Sequence, residues 1–151
     1  MTDTIDFRFK SPDDSPGFLL WQITMLWQRK MKRELDKIAI THTQFVLLAT
    51  LAWLARTKED VTQTDIASHS KTDRMMVSKV LRTMQNKGLI SRQEHHADTR
   101  AKTISLTALG QELLQKALTV VHNVDDNFFS VLESQLQVFN TGMLTLLKKN
   151  E

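Results

Sequence analysis

The sequence predicts a mainly α (α+β) fold, six helices interrupted by one short hairpin. Three observations predict it. Apolar residues recur at helical spacing through most of the chain. Four glycines and two prolines in 151 residues leave little room for an all-β fold rich in tight turns. One stretch, 89–107, breaks the helical period with two short apolar-containing runs on either side of a polar, cationic turn. A chain of this length forms a single domain with a sizeable core.

Each element is announced by its caps. Residues 1–14 place Ile5, Phe7 and Phe9 among polar residues, the pattern of an extended arm, either disordered or packed on a partner. Ser15-Pro16 is an N-cap followed by proline at the first helical position, opening a helix to about Ile38. That helix is apolar almost all round from Phe18 to Trp27, then narrows to a stripe at Met31, Leu35 and Ile38. Thr41 and Gln44 form a capping box with Ile40 and Phe45 as a hydrophobic staple, and the second helix runs to about Ala55. Thr62 and Asp65 make a looser box before a short helix, 63–69.

After the turn Ser70-Lys71, Thr72 is read as the N-cap of a helix with apolar residues at 76, 77, 80, 81 and 84. Gly88 ends it as the left-handed C′ residue, with Leu89 closing over it. The hairpin strands follow, 89–96 and 103–107. Their alternation is weak, so strand identity rests on context. Thr107 caps a long helix to about Val131, with apolar positions at 109, 113, 117, 120, 121, 124, 128 and 131. Ser134 and Gln137 make a further capping box for the last helix.

Charge separates the middle of the chain from the rest. Net charge is +3, yet residues 71–102 hold eight basic and three acidic side chains, a local +5 that leaves the remainder at −2. A basic patch on a slightly acidic body is the electrostatic footprint of a phosphate-binding surface. The helix over 72–87 presents Thr72, Arg74, Met75, Ser78, Lys79 and Arg82 opposite its apolar stripe, and the hairpin carries Arg92, Asp98, Arg100 and Lys102. A helix followed by a basic-tipped hairpin is how a winged helix-turn-helix reads double-stranded DNA, helix in the major groove and wing alongside. Arg74 and Arg82 have the reach for bidentate contact with guanine. Met75 either meets a thymine methyl or tucks beneath the helix.

The two long helices at the chain ends are too apolar for the domain they flank. They either complete a monomeric core or build a homodimer, and a DNA reader with one recognition helix per chain favours the dimer on a pseudo-palindromic operator. The chain then divides into an N-terminal arm and dimerisation helix over 1–38, a winged helix-turn-helix region over 41–106, and C-terminal dimerisation helices over 107–151, compact overall.

Other classes find little support. The absence of cysteine excludes disulfides and thiolate metal sites. No G-x-S-x-G, phosphate-binding glycine loop or H-E-x-x-H is present, so an enzyme is not expected. Asp125-Asp126 is a carboxylate pair, but neighbours on a helix diverge, and both are read as solvated. Neither a signal peptide nor an 18-residue apolar run exists, and a cytoplasmic protein without membrane contact is expected.

Three stretches in order, Lys87-Gly88-Leu89-Ile90-Ser91-Arg92, Asp98-Thr99-Arg100-Ala101-Lys102 and Leu106-Thr107-Ala108-Leu109-Gly110, carry a resemblance. The sequence resembles the MarR family of winged-helix transcriptional regulators, in which these read K-G-L-[IV]-x-R, D-x-R-x-K and L-T-x-x-G. The resemblance covers about 16–148. It implies Arg100 as the wing-tip residue in the minor groove, Asp98 orienting the wing's basic side chains, and a homodimer built by the terminal helices. It also implies repression relieved by a small, often aromatic effector held where the first two helices meet the DNA-binding region. Trp21, Met25, Trp27, His42 and Trp53 are the candidate walls, the alternative being ordinary core aromatics. An effector-independent DNA binder is a further reading. Some relatives bind zinc, so a zinc-responsive regulator is the rival, with histidines at 42, 69, 95, 96 and 122. His95 and His96, adjacent on a strand, would point to opposite faces and cannot chelate together. Neither a metal nor a cofactor is expected.

Overall fold

The computed structural model describes residues 4–94, 96–98 and 100–151. A 3-10 turn, Pro12–Asp14, precedes α1 (Pro16–Asp36), α2 (His42–Leu54), α3 (Gln63–Ser70) and α4 (Arg74–Asn86). A two-stranded antiparallel hairpin, β1 (Ile90–Glu94) and β2 (Lys102–Leu106), leads to α5 (Ala108–Phe129), a second 3-10 segment, Ser130–Gln135, and α6 (Leu136–Lys149). The fold class is that predicted, mostly helical with one small sheet.

The caps read from sequence hold α1, α2, α3 and α5. Ser15 accepts from the Phe18 N–H with Pro16 behind it. Both halves of the boxes at Thr41/Gln44 and Thr62/Asp65 are formed. α2 is apolar nearly all round and occupies the centre. Its Phe45, Leu47, Leu48 and Leu51 share one core with Met31 and Leu35 of α1, Ile66 of α3 and Val77, Leu81 and Met84 of α4. Ile90 and Ile104 of the hairpin and Leu114, Ala117, Val121 and Val124 of α5 complete it.

Four expectations are corrected. Thr72 is not the N-cap of α4: Asp73 is, accepting from the Met76 N–H at 3.0 Å, while the Thr72 hydroxyl donates to the Ser70 carbonyl. Both residues are cap-competent. The left-handed Lys71 (φ 54°) ends α3 and lets the Thr72 N–H donate back to the Ala67 carbonyl, which postpones the next helix by one residue. The Ser134/Gln137 box does not form. Glu133 adopts a non-helical conformation (φ 49°, ψ −122°) that kinks the chain within Ser130–Gln135, and α6 starts at Leu136 without a side-chain cap. On α5 the buried stripe is Gly110, Leu114, Ala117, Val121 and Val124, whereas Leu109 stays exposed. β1 ends at Glu94, so His96 lies beyond the strand rather than on it, and His95 lies outside the described residues.

The junction of α4, hairpin and α5 is close-packed through backbone. Gly88 (φ +75°) gives its N–H to the Gln85 carbonyl, and Leu89 donates to Met84, a Schellman closure of α4. Thr107 then caps α5 by accepting the Gly110 N–H at 3.0 Å. It also donates its hydroxyl to the Gly88 carbonyl at 2.6 Å and its N–H to the Leu89 carbonyl at 3.1 Å. A Cβ on Gly110 would lie 2.0 Å from the Leu89 carbonyl oxygen, an atom fixed in that network.

Two substitutions separate the causes. Gly88→Ala has room for its Cβ but keeps a positive φ, and is expected to cost about 1–2 kcal/mol. Gly110→Ala must displace backbone and is expected to cost more, about 3 kcal/mol or above. Urea unfolding of both variants checks the order; equal costs would mean the Leu89 backbone yields freely.

Candidate nucleic-acid interface

α4 is amphipathic in the sense the sequence predicts, except that Met76, expected in the apolar stripe, is exposed. Val77, Leu81 and Met84 are fully buried, and Arg74, Met75, Lys79 and Arg82 face solvent, with Ser78 and Thr72 half-buried. Met75 is 83% exposed, which decides against its tucking beneath the helix. Lys71, at the left-handed turn before α4, pairs with Glu151.

In the hairpin turn the Asp98 carboxylate accepts the backbone N–H of Arg100 at 3.0 Å, and the Asp98 carbonyl accepts from Ala101 at 3.0 Å. Asp98 therefore shapes the turn backbone on which Arg100 is displayed, an Asx-type bond. Arg100 is exposed; Thr99 lies outside the described residues. Lys102 is exposed and sits 3.8 Å from Glu94 across the strands. His96 Nδ1 lies 3.7 Å from Asp60, ion-paired when the imidazole is protonated.

Arg92 differs from the other basic candidates. It is half-buried, and its guanidinium donates to Gln63 Oε1 at 2.9 Å. The hairpin is also tied to the chain before α3, because the Ile104 N–H donates to the Val61 carbonyl at 2.8 Å and Thr62 bridges Thr103. The outward face of α4 and the wing turn thus belong to one framework of α3, α4 and sheet.

The effector candidates divide. Trp27 and His42 meet edge to face with centroids 5.0 Å apart, His42 stacks on Phe45, and Trp27 Nε1–H donates to Asp125 Oδ1 at 2.8 Å. Trp21 and Met25 lie exposed on α1, and Trp53 lies exposed under the Arg56 guanidinium. Trp21, Met25 and Trp53 are therefore not core residues, and among the described residues no ring contact joins Trp21 or Trp53 to the Trp27–His42 cluster. Asp125 is the residue that sequence reading missed. The sequence reads it as solvated, but it is half-buried and continues the inward stripe one step past Val124, the signal that identifies it. Gln63 was missed too, although the Thr62/Asp65 box places it at the first turn of α3. Among the described residues no helix is long and apolar enough to cross a membrane.

Comparison with known proteins agrees with this geometry. The family model for the ArnR1-like winged-helix domain matches residues 36–125. The uncharacterized HTH-type transcriptional regulator YdcH of Bacillus subtilis (strain 168) is 43% identical over 141 residues, covering 93% of this chain and 95% of the relative. Among solved structures, the S. aureus MepR–DNA complex superposes with a TM-score of 0.81 at 26% identity, covering 89% of this chain and 98% of MepR. BpsR of Bordetella bronchiseptica gives 0.80 at 19% identity, covering 95% and 98%, and shows the shared fold. These matches define the class, a winged-helix HTH-type transcriptional regulator. Within it, the chain belongs to the family of the ArnR1-like winged-helix domain, and its fold is that of MarR-family structures.

The cluster at His42 predicts a pH dependence. Burial holds its imidazole below the ordinary value, and the Asp125 carboxylate acts in the opposite direction. As pH falls through about 6.5, the unfolded chain takes up a proton that the folded chain resists until lower pH, so stability is lost on acidification. His42→Gln should remove this part of the loss, and Asp125→Asn should enlarge it. Thermal unfolding between pH 7.5 and 5 provides the check; curves for wild type and His42→Gln that stay parallel would contradict it.

Proposed function

We propose that this chain acts as a homodimeric, non-catalytic cytoplasmic repressor that binds a pseudo-palindromic DNA duplex and releases it on binding a small aromatic effector. The observation that carries the reading is the exposed Arg74–Met75–Lys79–Arg82 face of α4 beside a wing turn that displays Arg100 and Lys102. Arg74, Met75 and Lys79 are suited to the major groove and Arg100 to a narrow minor groove, where negative potential is concentrated. MepR, similar over its whole length, is solved bound to DNA, which supports the same use of this face. DNA binding by BpsR is regulated by 6-hydroxynicotinic acid, which supports an effector for this chain, with the Trp27–His42 pair as a candidate wall of its site.

The dimer follows from what the chain leaves uncovered. Leu20 and Trp21 of α1 and Val138, Leu146 and Leu147 of α6 are each more than half exposed, and Ile5 and Phe7 of the arm are 76% exposed. Apolar surface this extensive at both chain ends calls for a second copy. Sedimentation at micromolar concentration should give twice 17.4 kDa; a stable, folded species of single mass would contradict the dimer.

Two-fold symmetry sets the half-sites about 34 Å apart, one helical turn. Arg100→Ala should leave thermal stability unchanged, because the side chain is exposed. It should weaken operator binding by about 1–3 kcal/mol per half-site and flatten the salt slope. Asp98→Ala should give a smaller loss, and the double variant less than the sum. Wild-type affinity and slope in a folded Arg100→Ala protein would remove the wing from the reading.

A further inference from the structure

The register of the hairpin fixes which way Arg92 points. Ile90 opposes Leu106, Arg92 opposes Ile104 and Glu94 opposes Lys102, and directly opposed residues share a face. Ile90 and Ile104 are 3% and 4% exposed, so this is the face turned toward the body of the protein. Ser91 and Ser105 occupy the other face, their hydroxyls 2.7 Å apart. Arg92 is therefore an inward-facing arginine midway along the strand, whereas Lys102, on the same face but at the turn end beside Glu94, and Arg100 in the turn are exposed. Its guanidinium ends on Gln63, the first residue of α3, 29 positions earlier in the chain.

β2 is already tied to the entry of α3 by the Ile104–Val61 hydrogen bond and the Thr62–Thr103 bridge. The Arg92–Gln63 bond ties the outer strand to the same helix. The wing turn follows β1 directly, so the angle at which Arg100 is presented relative to α4 depends on where β1 is held. An amide oxygen accepting from a guanidinium is a charge-assisted, directional contact that a lysine reproduces poorly.

We propose that Arg92 is a positioning residue: through Gln63 it sets the angle of the wing against the helix-turn-helix, and it does not itself neutralise a phosphate. This rests on the reading of the α4–wing surface as a DNA interface. Arg92→Ala should weaken duplex binding by about tenfold, the effect of losing one charge-assisted hydrogen bond, with the salt slope unchanged. Gln63→Ala, which removes no charge, should weaken binding by a similar factor, and the double variant no further. Gln63→Glu should retain wild-type affinity, because the carboxylate keeps the tie; were this pair facing phosphate, it would weaken binding. The penalty for Arg100→Ala should shrink in the Arg92→Ala background, because a misplaced wing no longer delivers that arginine.

The experiment is a titration of a labelled operator duplex across salt concentrations with these variants, alongside urea unfolding of the free proteins. In urea, Arg92 and Gln63 should couple non-additively without DNA. Three results would overturn the inference: a slope shallower by about 0.9 on Arg92→Ala, wild-type affinity in Gln63→Ala, or additive penalties for Arg92 and Arg100. Any of these with wild-type operator binding intact sinks the positioning role alone. Absence of duplex binding by the wild-type protein sinks the proposed function and this role together.

Discussion

Thr107 closes two helices at once, and the placement of the interface depends on it. Its hydroxyl accepts from Gly110 to start α5 and donates to the Gly88 carbonyl that ends α4, while its N–H holds Leu89. A hydroxyl is one of few side chains that can donate and accept in this way. Gly110 lets the first turn of α5 come against the Leu89 backbone, where any Cβ would collide. The end of the recognition helix and the start of the longest helix are thereby one unit. α5 carries that unit along the molecule to Asp125, where Trp27 of α1 is hydrogen-bonded. The orientation of α4 relative to the terminal helices is transmitted through these bonds and through the α5 stripe, and a dimer would inherit the spacing of its two recognition helices from them.

The remaining framework serves the same end. α2, buried on most sides, is the surface against which α1, α4 and α5 pack, and α3 joins it through Ile66 and Ala67. The wing is held to α3 by backbone at Val61–Ile104 and by side chain at Arg92–Gln63. Basic side chains are thus divided by orientation. Arg74, Lys79, Arg82 and Arg100 project from rigid elements into solvent, and Arg92 is turned inward.

Much of this is legible in the sequence because it is local. N-caps at Ser15, Thr41, Thr62 and Thr107 and the Gly88 stop are short-range hydrogen-bond patterns, and tertiary packing had no reason to overrule them. Where two local solutions compete, the sequence is silent: Thr72 and Asp73 are both able to cap, and the left-handed Lys71 selects Asp73. The Ser134/Gln137 pattern is present but unused, because the chain kinks at Glu133 in a non-helical conformation and α6 takes Gln135 at its N-cap position without a side-chain cap bond. Contacts across long sequence separation carry no such signature. Nothing near Asp125 announces Trp27, 98 residues away, and nothing near Arg92 announces Gln63. A basic residue inside a basic motif is read as a phosphate contact until the strand register shows which face it occupies.

The bonds at Thr107 join the end of α4 and the start of α5 into a single rigid unit. Native-state hydrogen exchange at the Leu89, Thr107 and Gly110 amides measures this directly. All three donate within the junction, so they should exchange only through global unfolding, with the same free energy as core amides of α2. Exchange of these three at the faster rate of the wing turn, by local opening with the core still protected, would contradict the account. The recognition helix would then be free to move independently of α5.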